Sequence, residues 1–421
     1  MTTQRSLRPL TRLLAALAAV LLSVTAISGC AAASGRVGPR FLVDDNPSAA
    51  WEPVHIRIRS LPPGQLVTVT ATVSQGSVWS SQAVYAVPAD GMVDLATQAP
   101  VEAPFTGADG MGLFWSLAND SGAPATSADT WGESSITVDL EASIGARTVA
   151  RTGLHRIGLS TTVRSRAVFD DGVTGSLFEP PVRATGLKPA VILFDNTDSG
   201  LSTGGLIASQ LAALGYPTLA LSTYGSAGRP DPGHTFAAET FLSAISWLRT
   251  QPGVDRDRIF TFGSSRGAQL ALWAAVAFPN LVYGAIAPAG TTGLICNSPV
   301  PSPVVTLGGS WVPCTTGTAD VSPAAVLPLG DIEGPVVLGC AGNDEQLANG
   351  CTWLAAGRKA RGEHVGDAFV VAPDATHVFY VPPYTPLYLA SAHAQATEDA
   401  RVALWKAIAA ALSAPSSLPG R

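Results

Sequence analysis

Charge is scarce in this chain: only 13% of its 421 residues are Asp, Glu, Lys or Arg. The formal net charge of −6 is spread without blocks, so no basic stripe is present and nucleic acid is not expected as a partner. Cysteine is also sparse, with five in all. No C-x-x-C and no paired histidines occur, which leaves a metal site without a ligand pattern. No metal and no cofactor are expected. What the chain does have is 47% hydrophobic content, 42 Gly and 32 Pro. That is enough apolar material for two cores, with many turns between short elements.

The first residues read as a targeting segment rather than as fold. Arg5, Arg8 and Arg12 precede an apolar run from Leu13 to Ile27, which is the layout of a secretory leader. The run ends in Ile27-Ser28-Gly29-Cys30. This resembles the bacterial lipobox, in which cleavage leaves the cysteine N-terminal and lipid-modified. The resemblance implies a signal peptide over 1–29, lipidation of Cys30 and a tether over 30–37. The expected location is extracytoplasmic, held to the bacterial cell membrane by the lipid. An uncleaved span or a plain signal peptide is the alternative. Four cysteines remain, Cys296, Cys314, Cys340 and Cys351, and four allow three pairings. Sequence proximity favours Cys296–Cys314 and Cys340–Cys351, and export to an oxidising compartment suits both.

Residues 38–162 read as short strands without a convincing helix. His55–Arg59 and Val67–Val73 alternate apolar with polar, and Leu61-Pro62-Pro63-Gly64 turns between them. Further strands are expected at Ser81–Ala86, Ser135–Leu140 and His155–Thr161. This spacing indicates a β-sandwich of immunoglobulin-like type. His55 and His155 fall in strand patterns and are read as surface or core polar residues.

The second half, 163–421, changes period. Candidate strands at Ala190–Phe194, Pro217–Ser222, Ile259–Phe262, Tyr283–Ala287, Pro335–Gly339 and Ala368–Val371 alternate with helices. The helices are expected at Gly205–Leu214, Ala237–Thr250, Ala268–Ala277 and Glu398–Leu412. Arg166–Glu179 is read as a bridge between the halves. Apolar strands alternating with helices call for a mainly parallel sheet covered on both faces. Gly263-Ser264-Ser265-Arg266-Gly267 lies at a strand-to-helix junction. A G-x-S-x-G there is a nucleophile elbow, a turn sharp enough to hold Ser265 above the sheet edge. The whole pattern is that of an α/β-hydrolase domain.

A serine hydroxyl needs a base, and in this fold the partners follow in the order serine, acid, histidine. His377 lies in a loop beyond the strand at Ala368–Val371, on the side that faces the elbow. His364 sits in a polar run and His393 near the last helix, so neither competes well. The acid is expected after Pro335–Gly339, where Asp344 and Glu345 are adjacent. The Arg266 N–H, at a helix start, is one expected oxyanion donor, while its side chain is assigned no substrate role. The second donor is expected in the loop from Asp195 to Leu201, at Thr197 or Asp198. Thr291–Gly334 is too long for a simple connection and reads as a lid or as packing against the first domain.

Several runs carry a resemblance to a known family. Leu61-Pro62-Pro63-Gly64-Gln65, Trp79-Ser80-Ser81-Gln82-Ala83, Gly91-Met92-Val93-Asp94-Leu95 and Gly110-Met111-Gly112-Leu113-Phe114-Trp115-Ser116 occur in that order. Gly175–Pro180, Pro373–His377 and Pro382–Pro386 continue it. Together they resemble the acyl-CoA thioesterase and bile acid-CoA:amino acid N-acyltransferase family, over nearly all of the chain beyond Cys30. The resemblance implies a β-sandwich beside a hydrolase domain, with His377 as base. The family's Gly-x-x-Asp, counted from Gly342, favours Glu345 over Asp344. A glycine pair in the family's oxyanion loop is replaced here by Ser199-Gly200. In the family a serine nucleophile goes with thioester hydrolysis and a cysteine with acyl transfer, so Ser265 implies a hydrolase. A small-molecule or lipid acyl compound is the expected substrate. No Lys/Arg cluster suits coenzyme A phosphates, which favours other esters or thioesters. An acyltransferase, or a non-catalytic envelope lipoprotein, is the alternative.

Overall fold

The computed structural model describes residues 38–75, 77–119, 135–158, 162–170, 172–181, 186–195, 203–223, 235–298, 300–319, 321–386 and 393–415. In the first part, alternation along the chain becomes alternation across a sheet. Val67, Val69, Ala71 and Val73 are buried, as are Ile136, Val138, Leu140 and Ala142, because successive side chains of a strand point to opposite faces. Ile136–Ile144 pairs antiparallel with both Leu66–Gln75 and Arg147–Ile157. With Ser77–Ala86 and two short edge strands they make a six-stranded sheet. A three-stranded sheet of Arg40–Val43, Ile56–Arg59 and Val93–Asp94 supplies Ile56, Ile58 and Val93 to the same apolar core. One helical turn, Gly112–Trp115, stands where no helix was expected. Its four residues are buried and the Trp115 indole donates to Asp109 at 2.7 Å.

The second part is built on eight strands: β1 Arg164–Asp170, β2 Val173–Glu179, β3 Lys188–Asp195, β4 Thr218–Ser222, β5 Val254–Phe262, β6 Gly284–Pro288, β7 Val336–Ala341 and β8 Ala368–Ala372. Their order across the sheet is β1-β2-β4-β3-β5-β6-β7-β8. Strand β2 runs antiparallel to both neighbours, and from β4 to β8 every pairing is parallel. This is an α/β-hydrolase sheet. The supposed bridge Arg166–Glu179 is in fact the β1–β2 hairpin. Its edge strand β1 buries only Val168, so it carried almost no hydrophobic signal in the sequence.

Consecutive residues of β3 show why such strands read as continuous apolar runs. Ala190, Ile192 and Phe194 face α2 (Ala238–Leu248) and α3 (Arg266–Ala277). Val191 and Leu193 face α1 (Thr203–Ala213) and the last helix α5 (Ala394–Ser413), while α4 (Gly350–Arg361) contributes Leu354 to the α2/α3 side. Between β6 and β7 the chain makes a long excursion. A small sheet of Phe236–Ala237, Val305–Leu307 and Ser310–Trp311 organises its middle, and a Cys296–Cys314 disulfide closes the base of that part. Its return is held by the fully buried Arg361 guanidinium, which donates to the carbonyls of Leu329, Ile332 and Gly334 and pairs with Asp367. Among the described residues, no helix is long and apolar enough to cross a membrane.

Candidate active site

Strand β5 ends at Phe262 and helix α3 starts at Arg266, so the chain must reverse within three residues. Ser265 takes up the turn with φ 53° and ψ −123°. A positive φ on a residue with a Cβ costs on the order of 1–3 kcal/mol and persists only where surroundings enforce it. Here the Gly263 N–H donates to Ile286 at 3.0 Å and the Ser265 N–H to Pro288 at 3.2 Å, both carbonyls of β6. Gly263 is obligatory because a Cβ there would overlap the Gly267 carbonyl. The result leaves Ser265 partly exposed at the carboxyl edge of the parallel strands.

Two loops from the neighbouring strands meet this serine. His377 Nε2 lies 2.9 Å from Ser265 Oγ. Its Nδ1 lies 2.8 and 2.9 Å from the two oxygens of Asp344. Both His377 and Asp344 are almost wholly buried, so their contact is formed away from bulk water and is stronger for it. Of the two adjacent carboxylates it is Asp344, and not the favoured Glu345, that meets the imidazole. The cause is the register of the acid loop: the Gly342 N–H donates to Ala372 and the Asn343 N–H to Ala375, which locks this segment to the loop after β8. Asp344 then turns inward. Its Oδ1 also accepts the N–H groups of Gln346 and Leu347, at 2.9 and 2.7 Å. Glu345 turns outward, yet it accepts the His377 backbone N–H at 3.1 Å. One carboxylate meets the imidazole and the other holds its backbone. Each serves the same histidine.

The Cys340–Cys351 disulfide spans this acid loop from the end of β7 to the first turn of α4. The histidine itself opens a 3-10 turn, His377–Tyr380. Phe379 packs into the hydrolase core beneath the sheet, whereas Val378, Tyr380 and Val381 pack on the core of the first part. Beyond it, the fully buried Arg401 donates to the carbonyls of Val381, Pro382 and Thr385 and pairs with Glu398 at 2.7 Å. Glu398 in turn accepts the Tyr384 N–H at 2.8 Å. Burial, with the negative charges of Glu398 and Asp109, pushes the Tyr384 phenol above its ordinary range. Asp109 belongs to the first part, which therefore bears on the loop following the histidine. Sequence reasoning missed Glu398 and Arg401. Their only signal was an acidic and a basic residue three apart on the last helix.

Arg266 is exposed and opens α3, where the first N–H groups of a helix find no intrahelical carbonyl. Thr197, Asp198 and Cys30 lie outside the described residues. His393 immediately precedes α5, and its Nδ1 lies 3.3 Å from the Asn343 amide. His55 contacts Asp44 and Asp94, and His155 contacts Thr137.

The family model described as acyl-CoA thioester hydrolase/BAAT N-terminal region matches residues 51–170. Acyl-coenzyme A thioesterase 1 of Rattus norvegicus is 30% identical over 301 residues, spanning 67% of this chain and 69% of that protein. The mitochondrial acyl-coenzyme A thioesterase 2 of the same organism is 27% identical over 388 residues, 85% of this chain and 83% of that protein. Acyl-coenzyme A amino acid N-acyltransferase 1 of Mus musculus is 28% identical over 365 residues, 81% and 86% respectively. Among solved structures, an esterase of Pyrobaculum calidifontis aligns with a TM-score of 0.40 and 20% identity, covering 60% of this chain and 85% of that one. The chain belongs to the acyl-CoA thioester hydrolase and bile acid-CoA:amino acid N-acyltransferase family.

Proposed function

We propose that this protein is an exported serine hydrolase that cleaves acyl thioesters or carboxylic esters through an acyl-enzyme. The observation that carries the reading is the hydrogen-bonded file Ser265–His377–Asp344. His377 takes the Ser265 proton as the oxygen attacks the acyl carbonyl, then returns it to the leaving thiol or alcohol. Water repeats the sequence and releases the acid. Asp344 fixes the imidazole tautomer and stabilises the imidazolium. The Arg266 N–H is one oxyanion donor, and Thr197 or Asp198 supplies the other.

For location, the reading places a lipid anchor on Cys30 outside the cytoplasmic membrane. Support comes from the Arg-flanked apolar run and from the Cys296–Cys314 and Cys340–Cys351 disulfides, which suit an oxidising compartment. Blocking lipidation with Cys30→Ala is expected to release the protein from the membrane fraction. A wall-side location favours esters and extracellular thioesters over acyl-CoA as substrates. Turnover of p-nitrophenyl esters against long-chain acyl-CoA tests this, and much faster acyl-CoA hydrolysis would reject the preference. A second reading, acyl transfer to an amine or alcohol, is favoured by the mouse N-acyltransferase relative. Product analysis with added amine acceptors separates the two.

A further inference from the structure

The sequence from Gly267 to Ala319 contains no Asp, Glu, Lys, Arg or His. Most of its first half is core: helix α3 and strand β6. The second half is the excursion closed by Cys296–Cys314, and there the absence of charge extends to the surface. Leu307 through Trp311 are all exposed, at a hairpin turned by Gly308-Gly309. Trp311 is 72% exposed and Leu307 41%, while Val300 in the same closed segment is 76% exposed. Thr306 pairs with Trp311 and Leu307 with Ser310. The two large apolar side chains therefore project from opposite faces of the hairpin, and a partner gripping one face would leave the other in water.

The excursion that carries the hairpin is anchored at its base to the helix that follows Ser265. The Ile295 N–H, at the base of the excursion, donates to Gln269 Oε1 at 2.7 Å, one turn of α3 beyond Ser265. Val305 pairs with the strand Phe236–Ala237 and is itself in the hydrolase core. The Gly308 N–H donates to Glu239 at 2.6 Å, at the start of α2. A rigid stalk thus carries a tip whose own residues are uncharged, with a tryptophan on it and the Glu239 carboxylate against its Gly308 N–H.

We propose that this tip docks on a lipid–water interface and presents Ser265 to acyl chains held there. Tryptophan is suited to that boundary because its ring is apolar and its N–H remains wet. A protein partner would ordinarily meet a polar rim with hydrogen bonds, and no charged side chain lies on this segment to steer one. The hairpin's two-faced exposure suits a surrounding medium rather than a complementary surface. The inference rests on the acyl-hydrolase reading for its consequence in turnover, but not for the docking itself.

The test uses the full chain with phosphatidylcholine vesicles carrying brominated acyl chains, which quench nearby indoles. Residues 1–50 contain no tryptophan, so insertion of the N-terminal apolar run contributes no signal. The emission lost on Trp311→Phe is expected to be the quenched share, little changed by salt because zwitterionic phosphatidylcholine has no net charge to attract or repel the Glu239 carboxylate. Equal quenching of wild type and Trp311→Phe overturns the docking, including the case in which a protein covers the tip instead. In parallel, Leu307→Ser with Trp311→Ser is expected to slow an aggregated long-chain ester about tenfold or more, through lost apolar burial, and to spare a soluble short-chain ester. Equal turnover of the aggregated ester by wild type and the double variant overturns the presentation of acyl chains. Should neither ester be turned over by wild type, the catalytic reading fails while the quenching result still decides the docking.

Discussion

The serine and the histidine of this site are held by opposite means. Ser265 is fixed by its immediate neighbours: a turn of a few residues, Gly263 against Gly267, and two carbonyls of the adjacent strand β6. His377 is fixed from afar. Its side chain depends on Asp344, its backbone on Glu345, and its turn on both the hydrolase core and the core of the first part. The loop after it depends on Arg401 and Glu398, reached from the last helix. The comparison teaches that a serine in a strained turn is enforced locally, whereas a buried histidine is held by a convergence of distant loops.

The largest effects should break the two poles themselves. Ser265→Ala and His377→Ala are each expected to lower ester turnover by about 10⁴-fold or more, measured as kcat, and the double variant to lose little further, because the two act as a unit. Next, the paired carboxylates sharpen the comparison. Asp344→Asn should cost about 10³–10⁴-fold in kcat through the wrong imidazole tautomer. Glu345→Gln should cost about tenfold or less, since an amide oxygen still accepts the His377 N–H. A reversal of that order would return the acid role to Glu345.

Smaller effects test the distant supports. Arg401→Met leaves Glu398 buried without its partner and is expected to destabilise the fold by about 3–5 kcal/mol in denaturant unfolding. The double change Arg401→Met with Glu398→Met should recover much of that loss, as removal of a whole buried pair often does. Smallest in activity is the disulfide. Cys340→Ser with Cys351→Ser should lower stability by about 2–4 kcal/mol, because the unfolded chain is no longer constrained. Its kcat should fall several-fold as the Asp344 loop loosens, with no matching change for Cys296→Ser with Cys314→Ser on a soluble short-chain ester.

This contrast also explains what the sequence disclosed. The elbow was legible because its information is contiguous: an apolar strand, a Gly-x-Ser-x-Gly and a helix within about twenty residues. The alternation of strands and helices was legible for the same reason, and the boundaries differ from the observed ones by a few residues at most ends of the sheet. The β1–β2 hairpin and helix α4 were not anticipated; β1, an edge strand with one buried residue, Val168, has no period to detect. The choice between Asp344 and Glu345 was not readable, because one residue of register decides it. That register is set by Gly342 and Asn343 bonding to a loop thirty residues later. The support from Arg401 and Glu398 left no more than a charge pair three residues apart, since most of its partners are backbone groups that any sequence possesses.

The most direct test of the central claim is labelling of the folded protein with a fluorophosphonate probe, followed by mass spectrometry of its peptides. One adduct on Ser265 is predicted in wild type, with none in Ser265→Ala and far slower labelling in His377→Ala and Asp344→Asn. A well-folded wild-type protein that stays unlabelled, or that carries the adduct on another residue, would contradict the account.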